Sequence, residues 1–491
     1  ITGNMGNTAS ELHVASIPDA YVAVSICSFS KIRVMNATPD VKDMLIRLDQ
    51  EIASKCGISR GPLIDYYGTL KMKVGDYYTF SPNSGKDRAT LGKYFAIRLL
   101  EEMYNLGYNL LISSDLARQS DNATLYFAKS GVPGENRAPA RICCIAPGGG
   151  GGFGAGNSKL VLLHHDEHIK QAVMLALGDA WPSGVCSTED VIASGEQLHE
   201  IHLNGTWGWT HEDGINTRRT ICNLVGRMGG LNWRLLASSN LKGTADCYFF
   251  IYDPTFSTHP NDFCMLTLAK EDRFRLINCN HLLEPLQSAI ASAGLSIQEK
   301  LDYYGCHEIK VHGSPWCSFD NEAIAARRSI SRVMEVFGQQ GYTPLYAIDV
   351  SRRLTDKASI LFRKNPYPTN CKYACLSLTS VDRLRLLDFP IDVGVAMRDA
   401  LYKFYPMGVR NEVQLPDSNL EINVNDWPWV VMGLTKGGAQ YHMRATLGKL
   451  MEIAAQNGWY VSISADVSSK ISGGDNKHPL DVHSIYFVKM F

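Results

Sequence analysis

The chain of 491 residues lacks several features that would place it in a large functional class. Its formal net charge is −1, so no overall positive field attracts nucleic acid, and we expect no nucleic-acid partner. It has no apolar run of the ~18 residues that a membrane-spanning helix needs, and its first residues lack the order of a secretory signal. These absences predict a cytoplasmic protein that neither spans a membrane nor enters the secretory route by such a signal.

Motifs of common enzyme classes are also missing. The 13 cysteines are scattered and none forms C-x-x-C, which fits reduced, buried thiols better than a disulfide framework or a zinc finger. No Gly-Lys-Ser/Thr of a P-loop occurs. We therefore expect no cofactor and assign no catalytic residue.

What the sequence does contain is a unit repeated four times. An aromatic residue stands fifteen positions after a base and seven positions before Asp or Asn in every copy. The four sets of base, aromatic and acid or amide are Lys93, Tyr108 and Asp115; Arg218, Trp233 and Asn240; Arg327, Tyr342 and Asp349; and Arg444, Trp459 and Asp466. Such internal similarity indicates tandem domains.

Each copy reads as strand, strand, helix, strand, helix, strand, strand. Alternating segments such as "LHEIHL" and "LEINV" indicate half-buried strands. Strands that arrive as hairpins, with two helices between them, favour an α+β domain in which both helices cover one face of an antiparallel sheet. We predict an N-terminal tail at 1–20 and repeats at 21–130, 140–254, 262–365 and 371–491, each with its own small core that the aromatic anchors.

The glycine-rich stretch "APGGGGGFGAGNS" raises the question of a phosphate-binding loop. Gly149, Gly151 and Gly154 satisfy G-x-G-x-x-G, but another strand, "KLVLL", follows where a phosphate-binding loop would open a helix. Alignment of the copies places these glycines at the tip of the first hairpin of repeat 2. We predict that they bind no nucleotide.

A second motif, "HHDEH", matches the H-x-x-E-H pattern of one zinc peptidase class through His164, Glu167 and His168. His164 aligns with Asn36, Asn278 and Asp388, polar residues at a strand-to-helix junction where side chains cap helices. We interpret the motif as a histidine-rich helix start and predict no catalytic zinc. A metal-dependent hydrolase centred on His164 is the weaker alternative.

The recurring base and Asp have two interpretations. They could form a structural ion pair within each copy, fixing the helix to the sheet. Alternatively, bases could line an anion site, most densely in repeat 3, for a phosphoinositide-like headgroup or an acidic partner. The candidate residues are Arg327, Arg328, Arg352, Arg353, Lys357, Arg363 and Lys364.

Near the N-terminus, "MGNTAS" matches the myristoylation motif, with Gly6 as acceptor after removal of Met5. A chance match is the alternative. One myristoyl chain binds membranes only marginally, so a second signal is required, for which the bases of repeat 3 are available. The leading hypothesis is a non-enzymatic scaffold or adaptor with a protein partner, attached peripherally to membrane lipid; an anionic-ligand binding protein is the alternative.

Overall fold

The computed structural model describes most of the chain. The described residues are 21–27, 31–55, 64–66, 69–73, 86–116, 121–130, 137–148, 158–208, 211–241, 245–318, 321–351, 357–429, 438–468 and 482–491. The predicted tail, Gly6, the glycines of the first hairpin in repeat 2, Arg352 and Arg353 lie outside them. None of the described helices is both long and apolar enough to cross a membrane.

Four copies of one α+β unit follow each other along the chain. Repeat 1 contains β1 Tyr21–Cys27, β2 Lys31–Met35, α1 Pro39–Lys55, β3 Ile64–Tyr66, β4 Thr69–Lys73, α2 Lys86–Asn105, β5 Tyr108–Ser114 and β6 Asp121–Lys129. Repeat 2 contains β7 Ile142–Gly148, β8 Lys159–Leu163, α3 Glu167–Ala180, β9 Val185–Ala193, β10 Glu196–Leu203, α4 His211–Gly230, β11 Trp233–Ser239 and β12 Cys247–Tyr252.

Repeats 3 and 4 have the same element order. Repeat 3 contains β13 Phe263–Ala269, β14 Arg273–Ile277, α5 Leu283–Ser292, β15 Ile297–Tyr303, β16 Cys306–Val311, α6 Asn321–Gln339, β17 Tyr342–Ile348 and β18 Ser359–Lys364. Repeat 4 contains β19 Cys371–Thr379, β20 Arg383–Leu387, α7 Ile391–Phe404, β21 Val409–Gln414, β22 Leu420–Val424, α8 Ala439–Gln456, β23 Tyr460–Ala465 and β24 Ser484–Met490.

Each repeat forms one six-stranded antiparallel sheet with the same strand order. In repeat 1 this order is β3-β4-β2-β1-β6-β5, and the other three sheets reproduce it. The predicted α+β class and the four tandem repeats are thus confirmed. The structure adds one strand to every unit, namely β3, β9, β15 and β21, which forms the outer edge of each sheet.

The four repeats close into a ring. The inner edge strands β5, β11, β17 and β23 each contact the one before and the one after, and β23 contacts β5. At this centre the Ser113 and Ser239 hydroxyls lie 3.0 Å apart, and those of Ser464 and Ser114 lie 2.8 Å apart. Sheet edges are prone to pair with other chains, and here the inner edges cover one another.

Successive repeats share their cores, which differs from the prediction of one core per copy. In β1, Val22 and Val24 pack with α1 and α2 of repeat 1, whereas Tyr21 and Ala23 pack with α7 and α8 of repeat 4. Side chains alternate between the faces of a strand, so both faces of each sheet are buried. Each pair of helices therefore lies between its own sheet and the next sheet around the ring.

The outer edge strands β9, β15 and β21 are polar and largely exposed. Glu189 and Asp190 of β9 and Glu299 and Lys300 of β15 are exposed. Charged side chains on an edge strand disfavour pairing with another chain. Because neither face of these strands is fully buried, their sequences show no clear apolar alternation.

Candidate functional site

The recurring base bonds within its own helix in each copy, and in three copies it also reaches into the next repeat. It bonds to the carbonyl oxygen four residues earlier in its own helix in all four copies, with Lys93–Ala89 at 3.4 Å, Arg218–Gly214 at 2.8 Å, Arg327–Ala323 at 3.1 Å and Arg444–Gln440 at 3.3 Å. The three arginines also donate to hydroxyls of the following repeat, with Arg218–Ser359 at 2.8 Å, Arg327–Ser468 at 2.8 Å and Arg444–Thr124 at 3.1 Å. The last bond joins repeat 4 to repeat 1.

The recurring Asp or Asn also lies at a junction between repeats. Its carbonyl oxygen accepts a hydrogen bond from the start of the last strand of the preceding repeat around the ring. The four bonds are Ala123–Asn240 at 3.3 Å, Asp246–Asp349 at 3.0 Å, Ala358–Asp466 at 3.0 Å and His483–Asp115 at 3.2 Å. Both recurring residues therefore make hydrogen bonds between different copies, where the sequence suggested a link within one copy.

The recurring aromatic residues of the four copies are buried. Tyr108 is 1%, Trp233 5%, Tyr342 7% and Trp459 3% exposed. The Tyr108 hydroxyl bonds to Thr38 at 2.8 Å, and the Tyr342 hydroxyl bonds to His281 at 2.9 Å. Both partners stand near the start of the first helix of the same repeat. The aromatics thus anchor the inner edge strand to that helix, which leaves no face open as a ligand platform.

The basic residues of repeat 3 are mostly occupied within the protein. Arg327 and Lys357 are buried, and Lys357 donates to the carbonyl of Lys270. Arg328 pairs with Asp388 and Asp417 of repeat 4 at 3.0 Å. Among the five described members of the predicted cluster, only Lys364 is fully exposed.

Arg363 completes the described part of that cluster. It lies over the ring of Phe256 and donates to the carbonyl of Ser257 at 3.3 Å, and burial lowers the pKa of its guanidinium. An anion site in repeat 3 therefore stays a prediction that rests on Lys364 and on Arg352 and Arg353, the two bases outside the described residues.

The H-x-x-E-H motif does not begin on a helix. His164 has φ of +52° and precedes α3, which starts at Glu167, so His164 and His168 do not share an established helical face. The aligned Asn36, Asn278 and Asp388 also have positive φ, of 56°, 61° and 61°. Asn, Asp and His tolerate this left-handed conformation, which explains the polar residues at this junction; for α3, the side chain of Asp166 is the cap.

One other group of metal-type ligands occurs in the described part of the chain, namely Glu189, Glu200 and His202. Glu200 already pairs with Lys159 at 2.7 Å and with Lys86 of repeat 1 at 2.9 Å. Glutamates at the same register position pair with arginines in the sheets of repeats 3 and 4, with Glu308–Arg275 at 2.6 Å and Glu421–Arg385 at 2.8 Å. Glu200 therefore has the structural role of its counterparts.

The glycine-rich stretch lies between two paired strands. β7, which ends at Gly148, and β8, which begins at Lys159, pair antiparallel, as a hairpin requires. In the described part of the chain the element after β7 is β8, so the described residues on either side of the stretch provide no helix N-terminus for a phosphate.

Comparison with known proteins assigns the repeats to a family. One family model, of an uncharacterised domain, matches residues 155–251, 262–363 and 372–488, which together make up more than half of the chain. The chain belongs to this domain family. No curated protein and no solved structure matches it.

The matches fall within repeats 2, 3 and 4. Repeat 1 is outside the matched residues, yet its sheet has the same strand order as the three family domains. It also donates the Ala123–Asn240 bond to repeat 2 and accepts the Arg444–Thr124 bond from repeat 4. The fold therefore extends the family domain to the first copy.

The third family domain, repeat 4, carries an exposed apolar face. Ile391, Val395 and Tyr402 of α7 are 66%, 39% and 51% exposed. Their spacing of four and seven residues places them on one side of the helix. Val413 of the neighbouring β21 is 42% exposed. We call the three α7 residues the α7 face.

The recurring base, aromatic and Asp or Asn did not point to two sets of residues that are prominent in the structure. The sequence did not identify the α7 face, because "IDVGVAMRDALYKF" also has a buried apolar side and the sequence does not show which side faces solvent. The second set is a glutamate eight positions after the base, present as Glu101, Glu335 and Glu452. The sequence alone shows that this glutamate follows the base at the same spacing in these three copies.

Proposed function

We propose that this protein is a non-enzymatic scaffold or adaptor that binds a protein partner through the α7 face. Exposed apolar side chains grouped on one helix face are typical of protein-binding surfaces. The exposed side chains of the α7 face carry the proposal. By contrast, the recurring polar residues lie at junctions between repeats, where their described bonds serve assembly.

The chemistry of the buried thiols supports a non-enzymatic role. Burial raises the pKa of Cys375 to about 12 and that of Cys306 to about 11. A cysteine nucleophile acts as the thiolate, and such thiols stay protonated near neutral pH. These cysteines therefore act as small core residues.

A charge substitution on the α7 face tests the proposal. We expect Ile391→Glu with Val395→Glu to reduce recovery of the partner by about ten-fold or more, since buried interface anchors contribute at least 1–2 kcal/mol each. The measurement is quantitative mass spectrometry of proteins that co-purify with the full chain from cells that produce it.

The matched control is Ser288→Glu with Ser292→Glu, which adds the same charge at the same spacing on exposed positions of α5. The control should retain the partner. Equal recovery with the α7 variant would contradict the proposal. A dimer of the purified protein that the α7 variant abolishes would assign the face to a second copy instead.

We also propose that Gly6 carries a myristoyl group that attaches the protein peripherally to a membrane. We expect a chain that begins at Gly6 and is myristoylated to float with vesicles containing anionic lipid. Gly6→Ala should reduce the bound fraction by about ten-fold or more, because the acyl chain supplies most of the binding free energy.

High salt and charge reversal distinguish membrane binding through the myristoyl chain from binding through the basic residues. Binding that depends on bases should weaken at high salt and on replacement of Arg352 and Arg353 with glutamate. Binding that is the same with and without myristate would refute the lipid anchor. Binding that resists both salt and charge reversal would refute the basic second signal.

A further inference from the structure

The residues before β1 match the linkers that join the other repeats. Hairpin pairing aligns Ala23, Cys144, Met265 and Cys375, which lie opposite Met35, Leu163, Ile277 and Leu387. Counting five residues back from the first three gives Pro18, Pro139 and Pro260. The segment before repeat 1 therefore carries a proline where two of the linkers do.

Each linker covers the C-terminal half of the second helix of the preceding repeat. A Cβ on Gly226 of α4 would lie 2.5 Å from the Cα of Pro260, so the linker touches the helix backbone there. The amide of Thr369 donates to the carbonyl of Gly338 near the end of α6 at 2.8 Å. The amide of Ala140 donates to Asn105, the last residue of α2, at 2.9 Å.

A glutamate of the same helix receives the first strand of the next repeat. Glu101 accepts the amide of Ile142 at 3.1 Å, and Glu335 accepts the amide of Tyr373 at 3.1 Å. Each glutamate is held by an arginine three residues earlier, at 2.6 Å for Arg98 and 2.9 Å for Arg332. At these two junctions the linker and the first strand of the next repeat thus lie beside a carboxylate that an arginine holds in place.

Helix α8 of repeat 4 has the same features. Lys449 pairs with Glu452 at 2.8 Å. Burial first, and then the Glu452 charge, raise the pKa of Tyr21, so the start of β1 lies beside this carboxylate. Ala455 occupies the position of Gly229 and Gly338, where a small residue admits the linker.

We propose that residues 16–20 dock on the C-terminal end of α8 and close the fourth junction as the linkers close the other three. The occupant follows from continuity, because β1 already packs on α8 and these residues immediately precede it. Ile17 corresponds to Thr369 and would lie against Ala455. The segment holds repeat 4 to repeat 1 without a covalent connection between them.

Disulfide trapping in the full chain tests the contact. We expect Ile17→Cys with Gln456→Cys to form a disulfide between positions 17 and 456 under mild oxidation, detected by peptide mass spectrometry. The control is Ile17→Cys with Gln50→Cys, at an exposed position of α1. Docking raises the effective concentration at position 456, so its yield should exceed the control yield by about ten-fold or more. Equal yields would overturn the proposal.

Hydrogen exchange gives an independent readout. Ile17→Asp should accelerate exchange of the amides at 449–457 by about ten-fold, because the covering segment is lost. The amides at 332–340 of α6 should be unaffected, and Thr8→Asp should change neither region. Unchanged exchange at 449–457 in the Ile17→Asp chain would also overturn the proposal, for example in favour of another occupant of α8.

Discussion

Replacing Arg327 with alanine is expected to lower the free energy of unfolding by about 3–5 kcal/mol, as large-to-small substitutions in a core do when they also remove buried hydrogen bonds. Arg327 is 0% exposed and bonds both to its own helix and to Ser468 of repeat 4. The substitution leaves a cavity and unpaired polar groups at the junction of two repeats. Chemical denaturation followed by circular dichroism measures the loss.

Two variants delimit this result. Arg327→Lys should be less damaging, because repeat 1 carries Lys93 at the equivalent position and a lysine keeps the charge. Arg227→Ala, which removes a partly exposed arginine paired with Asp179, should cost about 1 kcal/mol or less. If Arg327→Ala is no worse than Arg227→Ala, the junction arginine does not hold the ring together.

Gly226→Ala is expected to lower the free energy of unfolding by about 1–3 kcal/mol, the usual effect of overpacking. The new Cβ would meet the Cα and carbonyl oxygen of Pro260 at 2.5 and 2.8 Å. These are backbone atoms of the linker, so the contact cannot be relieved by a side-chain rotation. Thermal and denaturant unfolding measure the change.

Gly178→Ala is the matched control on the exposed side of α3, where nothing lies within 4 Å of an added Cβ. It should raise stability by up to about 1 kcal/mol, because alanine favours the helix over glycine. A gain from both substitutions would show that the linker does not press on α4. A loss from both would show that the loss at Gly226 is not specific to the contact with Pro260.

Because the ring is closed, we expect each of these substitutions to affect more than one repeat. Each core contains side chains of two repeats, and the fourth core joins repeat 4 to repeat 1. An isolated repeat would expose the sheet face that its neighbour covers. We therefore regard the ring, and not the single domain, as the unit that folds.

Much of this architecture could be predicted from the sequence. Spacings of fifteen and seven residues around Tyr108, Trp233, Tyr342 and Trp459 identified four copies, since equivalent side chains fill equivalent positions. Alternation located strands such as β10 and β22, because polar side chains that pair across the sheet, such as Glu200 and Glu421, alternate with apolar core residues. The outer strand β9 was not predicted, because "VCSTEDVIA" is exposed over most of its length and shows no alternation of apolar and polar residues.

The sequence by itself determined the repeat, its α+β class and most of its strands and helices, because these depend on side chains close together along the chain. Only the tertiary structure decided that cores are shared and that the ring closes. The bond from Arg444 to Thr124 spans 320 residues, and no local pattern specifies such a partner. A continuous apolar strand such as "YACLSLT" shows that both faces are buried, but which repeat covers each face depends on how the four units pack.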